Sequence, residues 1–263
     1  MPLPVNFPEG YGLVEAAGAW GFALEGARAW LAETLASAPL HAWATRQPDG
    51  RELSGRGRTS SVPAAVRRPT DPDRWVVRHY RRGGVIASWL GDRYLSVGVP
   101  RPLRELHASL EARRRGIPTP RVVAGTVHPG PVFYRADLVT EGIPGGADLA
   151  EVLFGDAPAA LDDEAALVAA GALVRALEAA CVLHPDVNAK NVVLQAQAGG
   201  IHAHVVDLDG CRVGSASVRT RSHPMRRRLE RSLRRHEARS DRPLGPRAWA
   251  ALRDGYEARG GAV

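Results

Sequence analysis

Three polar side chains set at fixed places between apolar runs constrain this chain more than any other feature. The stretch His184-Pro185-Asp186-Val187-Asn188-Ala189-Lys190-Asn191 puts an aspartate five residues ahead of an asparagine, and Val192-Val193-Leu194 follows. Gly199-Gly200 supplies a turn, and the apolar-rich run Ile201–Val206 ends at Asp207-Leu208-Asp209. β-Branched residues on both sides of a glycine turn predict strand, turn and strand. Such a hairpin brings Asn191 and Asp207 to one edge, where two oxygen ligands can hold one hard cation.

A kinase-type catalytic loop reads His-x-Asp with an asparagine five residues after the aspartate. In that reading Asp186 is the base that accepts a hydroxyl proton, and Asn191 and Asp207 hold magnesium between phosphates. The structural alternative is a Pro-Asp turn, a strand cap and a solvated strand end. Three positions agreeing at the right separations favour the site, and with it a protein-kinase-like two-lobed α+β fold. The expected form is a small β-rich N-lobe and a mostly helical, minimal C-lobe.

The upstream half offers a nucleotide lobe in order. Gly55-Arg56-Gly57-Arg58-Thr59-Ser60 is a glycine-rich turn whose amides can approach phosphates closely. A surface loop rich in Gly and Arg gives the same string. Arg74–Tyr80 reads as a strand, and Val76-Val77-Arg78 falls where kinases carry Val-Ala-Ile-Lys, with arginine in place of lysine. Lys190 is the sole lysine of the chain and lies in the catalytic loop itself. A guanidinium also pairs with phosphate and carboxylate, as a planar fork, so Arg78 is the expected lysine equivalent. Leu103, Leu106 and Leu110 have helical spacing after Pro102, and Gly116-Ile117-Pro118 ends that element. Glu105 on this helix is the expected partner of Arg78, against the alternative of a surface glutamate near a helix start.

Val77-Arg78-His79-Tyr80-Arg81-Arg82-Gly83-Gly84 resembles the Arg-His-Tyr-x-Arg-Gly-Gly signature of bacterial 3-deoxy-D-manno-octulosonic acid (Kdo) kinases, of the lipopolysaccharide core kinase family. Similar pieces follow in order: Asp92-Arg93-Tyr94-Leu95, Gly116–Arg121, Tyr134–Leu138, Ile143-Pro144-Gly145, the His184–Asn191 loop and Asp207–Cys211. The resemblance spans roughly Gly55 to His236, and many short motifs in order are more specific than any one. It implies ATP-dependent, magnesium-assisted phosphorylation of the 4-hydroxyl of Kdo on a lipid A precursor, at the cytoplasmic face of the inner membrane. Arg78 with Glu105 then positions nucleotide phosphates under the Gly55–Ser60 turn. Arg81, Arg82 and Arg212 are candidates for substrate contact, and Asp209 for a supporting role beside Asp207.

Composition bounds the rest. The chain has 263 residues, enough for one kinase-like domain, with an N-terminal extension and nucleotide lobe over 1–140 and a C-lobe over 141–263. A formal charge of +7 suits an anionic partner. The stretch after Asp207 is short for peptide-docking segments, no Ala-Pro-Glu motif appears, and His184-Pro185-Asp186 lacks the arginine that meets activation-loop phosphate. A small-molecule or lipid-linked acceptor therefore fits better than a protein acceptor, and the resemblance implies a lipid-linked anionic sugar. Met225, Leu229 and Leu233 form a narrow apolar stripe among Arg226, Arg227, Arg228, Arg231, Arg234 and Arg235. This basic helix suits either an anionic membrane surface, giving peripheral attachment, or a solvated helix packed on the lobe. No aromatic stacking motif or zinc-ligand pattern supports nucleic acid.

No secretory signal is evident in Met1–Pro8, and Cys181 and Cys211 suit a reduced cytoplasmic protein. Ala16–Leu40 is expected to form a strand or helix outside the kinase motifs, and Gln47–Pro72 a mobile surround of the phosphate turn. Two other functions remain: a kinase of the same fold with another small or lipid-linked hydroxyl acceptor, and a non-catalytic lipid- or nucleotide-binding pseudokinase. Oligomeric state is not legible.

Overall fold

Alternating apolar residues and glycine turns build most of the first half of the chain. The computed structural model describes residues 7–53, 59–81, 91–155, 161–214 and 223–258. Two compact units divide it: Met1–His107 with Arg121–Pro144, and Ala108–Pro120 with Gly145–Val263. Helices and antiparallel strands make it an α+β protein.

In the first unit, β1 (Tyr11–Ala16), β2 (Ala19–Leu24), β3 (Arg51–Leu53), β4 (Thr59–Pro63), β5 (Arg74–His79), β7 (Val122–Pro129) and β8 (Phe133–Glu141) form one antiparallel sheet. Its order is β1-β2-β7-β8-β5-β4-β3, and β6 (Tyr94–Leu95) pairs with β8. Ala16–Leu40 supplies both a strand and a helix: β2 joins the sheet beside β7, in register from Trp20↔Val127 to Ala23↔Ala124, and a helix over Arg28–Ser37 follows. Gln47–Pro72 likewise contains two strands, since edge pairing uses backbone groups that a polar sequence also possesses.

Strand alternation gives β5 two faces. Trp75, Val77 and His79 are buried, and Trp75 and Val77 pack with Leu31 and Leu35 of α1 (Arg28–Ser37) and Leu40 and Ala44 of α2 (Leu40–Ala44). Trp30 seals this layer edge-on against Trp43 and Trp75, with ring centroids 5.1 and 4.7 Å away. Arg78 lies on the other face. There Gly125 is required, because a Cβ would meet the Phe22 ring and Pro102 of α3 (Arg101–Arg114).

In the second unit, Asp148 and Asp162 cap α4 (Leu149–Phe154) and α5 (Asp163–Ala179), each accepting a 2.8 Å bond from a backbone amide of the first turn. Residues 108–114 of α3 end in Gly116 at φ +75, where Ile117 N–H reaches the Ala112 carbonyl at 3.0 Å. α5 crosses α7 (Pro246–Glu257) through Gly171 and Gly255; a methyl on either would collide with the facing backbone, at Leu252 or Val168. The core also takes in Met225, Leu229 and Leu233 of α6 (His223–Glu237), which are 1%, 0% and 0% exposed. The stripe is therefore spent on the core and unavailable to a bilayer. Its arginines remain outward: Arg227, Arg228, Arg231, Arg234 and Arg235 are exposed. No helix among the described residues is long and apolar enough to cross a membrane.

Candidate active site

The catalytic-loop residues are placed by short backbone bonds within the second unit. β9 (Ala147–Asp148), β11 (Val192–Gln197) and β12 (Gly200–Val205) form a three-stranded sheet, with β11 and β12 in register from Val192↔Val205. Beyond that register, Val206 N–H donates to the Asn191 carbonyl at 3.0 Å. Asn191 and Asp207 thus flank the same hairpin mouth, as the sequence predicted.

Asn188 caps the 3-10 turn Ala189–Asn191, its Oδ1 accepting from the amides of Lys190 at 2.9 Å and Asn191 at 3.2 Å. Its Nδ2 donates to the Asp186 carbonyl at 3.0 Å, and Asn191 Nδ2 donates to the same oxygen at 2.9 Å. The bond to a carbonyl identifies the Asn191 nitrogen, so Oδ1 is the atom Asn191 has to offer a cation. Asp207 is exposed and sits at φ +60, a left-handed conformation that an aspartate tolerates at some cost. An amide oxygen and a carboxylate are the donors a hard cation takes, so the residues fit magnesium. Asp186 is also exposed, which an acceptor hydroxyl requires.

His184 holds these parts together, a role its place in the motif did not reveal. Its Nδ1 accepts from the Asp186 amide at 3.2 Å, which leaves Nε2 protonated and donating to the Val206 carbonyl at 3.2 Å. Burial lowers its pKa and keeps the ring neutral, as this bonding demands. Arg212 is exposed on β13 (Arg212–Val213), facing Leu183 of β10 (Val182–Leu183), one residue before His184. Asp209 is half-buried in the turn that follows Asp207.

In the first unit Arg78 pairs with Glu105, and the Tyr80 hydroxyl donates to Glu105 Oε2 at 2.5 Å. The Arg78 guanidinium also lies 4.7 Å from the Tyr80 ring centroid. Glu105 is 4% exposed, which removes the surface-glutamate alternative. Tyr80 is a further member that sequence order alone did not single out. Thr59 is in β4, directly across from Arg78, and Arg81 is exposed at the end of β5. Gly55, Arg56, Gly57, Arg58 and Arg82 lie outside the described residues.

Opposite Arg78, the first unit carries a cluster that the sequence did not announce. His79 Nδ1 meets Asp137 Oδ1 at 2.6 Å, and His41 Nδ1 lies 3.1 Å from each Asp137 oxygen. Burial would raise the Asp137 pKa, but bonds from His41 and His79 prevail and hold it at about 2. Burial likewise works against a charged His79, yet its bonds to Asp137 and Asp92 raise its pKa.

Comparison with known proteins places similar chains beside this one. The curated relatives include 3-deoxy-D-manno-octulosonic acid kinases. That of Haemophilus influenzae is 29% identical over 185 residues, covering 69% of this chain and 74% of the relative. That of Vibrio cholerae is 31% identical over 140 residues, covering 52% and 57%. A solved structure of WaaP in complex with acyl carrier protein superposes with TM-score 0.48 at 18% identity, covering 84% of this chain and 83% of that one. The model of the lipopolysaccharide kinase (Kdo/WaaP) family matches residues 41–256, from α2 to α7. With that span matched, the chain belongs to the lipopolysaccharide kinase (Kdo/WaaP) family.

Proposed function

We propose that this protein is an ATP-dependent kinase that phosphorylates the 4-hydroxyl of Kdo on a lipid-linked lipopolysaccharide precursor. The observation that carries this reading is the joined loop: an exposed Asp186 whose backbone is bonded to His184, Asn188 and Asn191, beside Asp207. Asp186 orients the acceptor hydroxyl and takes its proton. Asn191 and Asp207 hold magnesium, which when bound neutralises phosphate charge. Arg78, kept in place by Glu105 and Tyr80, pairs with nucleotide phosphates. Phosphoryl transfer rests mainly on such positioning and charge neutralisation, so this short set of residues suffices. The fold proposed is the two-lobed kinase type.

The names of the relatives support this acceptor, the basic charge of the chain suits an anionic one, and Arg81, Arg82 and Arg212 are the proposed contacts to its carboxylate and phosphates. Attachment to the inner membrane is peripheral and electrostatic, through the exposed arginines of α6. The test is phosphate transfer from labelled ATP to Kdo-modified lipid A precursor, beside the same lipid lacking the Kdo 4-hydroxyl. Label on the first lipid alone supports the assignment. Equal label on both overturns the hydroxyl, and no label on either overturns the acceptor.

A further inference from the structure

The residues adjacent to Arg78 in the sheet point to a second kind of chemistry on its opposite face. His79 follows Arg78 on β5, so strand alternation turns its ring to the α1–α2 side. The register sets His79 across from Asp137, and Asp137 across from Thr126 of β7. From above the sheet, α2 contributes the His41 ring and also its backbone amide, 3.3 Å from Asp137 Oδ2. Two imidazole nitrogens and one carboxylate oxygen thereby converge, all within 4.8 Å of one another. We infer that His41, His79 and Asp137 form a transition-metal site of the zinc type.

Several observations support this. The donor set of two imidazoles and a carboxylate is the borderline mixture that zinc takes, with a fourth position left for water. Tetrahedral zinc with ligand bonds near 2.0–2.1 Å separates its ligand atoms by about 3.3 Å. The present separations of 2.6 and 3.1 Å around Asp137 need only a small outward adjustment to reach that.

The second shell is also in place. His79 Nε2 lies 3.1 Å from Asp92 Oδ2, and Arg135 Nε holds the same oxygen at 2.8 Å. A carboxylate on the outer nitrogen of a ligating histidine fixes the tautomer and turns the other lone pair inward. Lastly, Asp137 is 0% exposed, and its carboxyl oxygens meet the ring nitrogens of His41 and His79 and the His41 backbone amide. His128, two residues beyond Thr126 and so on the same face, has a buried Nε2 with no hydrogen-bond partner among the described residues. It is a further nitrogen donor at this end of the sheet. A bound metal would pin α2 onto β5 and β8, one residue from Arg78.

The experiment is zinc stoichiometry by elemental analysis on the full chain, purified without a histidine tag, for wild type, His41→Ala and the control His202→Ala. The expected result is about one zinc per chain in wild type and in His202→Ala, and a small fraction of that in His41→Ala. Chelation should lower the melting temperature, and zinc in excess should restore it by about 5–10 °C. Wild type holding no more zinc than His41→Ala overturns the site and leaves a cluster neutralised by protons. Should His41→Ala fail to fold, cobalt substitution of wild type decides. Intense visible bands of four-coordinate cobalt support the site, and weak octahedral bands overturn it.

Discussion

The His184 ring reaches the Val206 carbonyl through a 3.2 Å hydrogen bond from Nε2. Since the other ring nitrogen accepts from the Asp186 amide, one buried imidazole ties the proposed base to the residue before the proposed metal ligand. Replacing His184 with alanine strips both bonds and leaves a cavity in a site that is 1% exposed. The expected cost is about 2–4 kcal/mol of stability, read by denaturant unfolding. Phosphate transfer should fall by about 100-fold even where the variant is fully folded, because a small misplacement of reacting groups is enough.

Arg78 and Glu105 predict a different pattern. Arg78→Ala leaves a carboxylate that is 4% exposed without its guanidinium, at an expected cost of about 3 kcal/mol. The double variant Arg78→Ala with Glu105→Gln should recover much of the stability, since the neutral amide can still accept from Tyr80. It should not recover ATP use. Thermal melts and ATP kinetics on the three proteins separate the two effects, and recovered kinetics would move the phosphate-pairing role elsewhere.

The exposed arginines of α6 give a prediction about surfaces. With Met225, Leu229 and Leu233 buried in the core, membrane contact through this helix must be electrostatic. Changing Arg227, Arg228, Arg231 and Arg235 to glutamine should weaken binding to anionic vesicles by about 100-fold or more, measured by co-sedimentation. Added salt should erase the difference. Unchanged affinity would place the membrane contact on another face.

Alkaline stability follows from Tyr256, whose hydroxyl bonds Glu178 in the second unit. Burial and that bond push its pKa up to about 12, above the ordinary value of 10.0. A raised folded-state pKa means the unfolded chain loses the proton first. The stabilisation is therefore complete below pH 10 and is lost as pH rises towards 12. Denaturant midpoints across that window should fall less steeply for Tyr256→Phe than for wild type.

The hairpin geometry of the proposed catalytic loop was legible because its information is local: eight consecutive residues and one hairpin carry it. Arg78 and Glu105 were legible from their order in the chain, and burial of Glu105 then decided between partner and surface residue. The His41–Asp137 cluster was not, because its members come from α2, β5 and β8 and meet only through sheet register. The stripe of α6 shows a different limit. Periodicity marks one apolar face but does not say whether protein or lipid covers it. Gln47–Pro72 looked like a loop by composition, yet β3 and β4 pair there through backbone groups that composition does not report. Tyr80 was visible in the family signature, but its bond to Glu105 required the fold.

The most direct test of the account is single-turnover transfer from labelled ATP to Kdo-modified lipid A precursor by wild type and Asp186→Ala, with ATP affinity measured on both. The account predicts labelled lipid from wild type, a loss of about 10³-fold or more in Asp186→Ala, and ATP affinity nearly unchanged. Transfer by Asp186→Ala at the wild-type rate would contradict it, because the loop built around Asp186 would then not be where the hydroxyl is deprotonated.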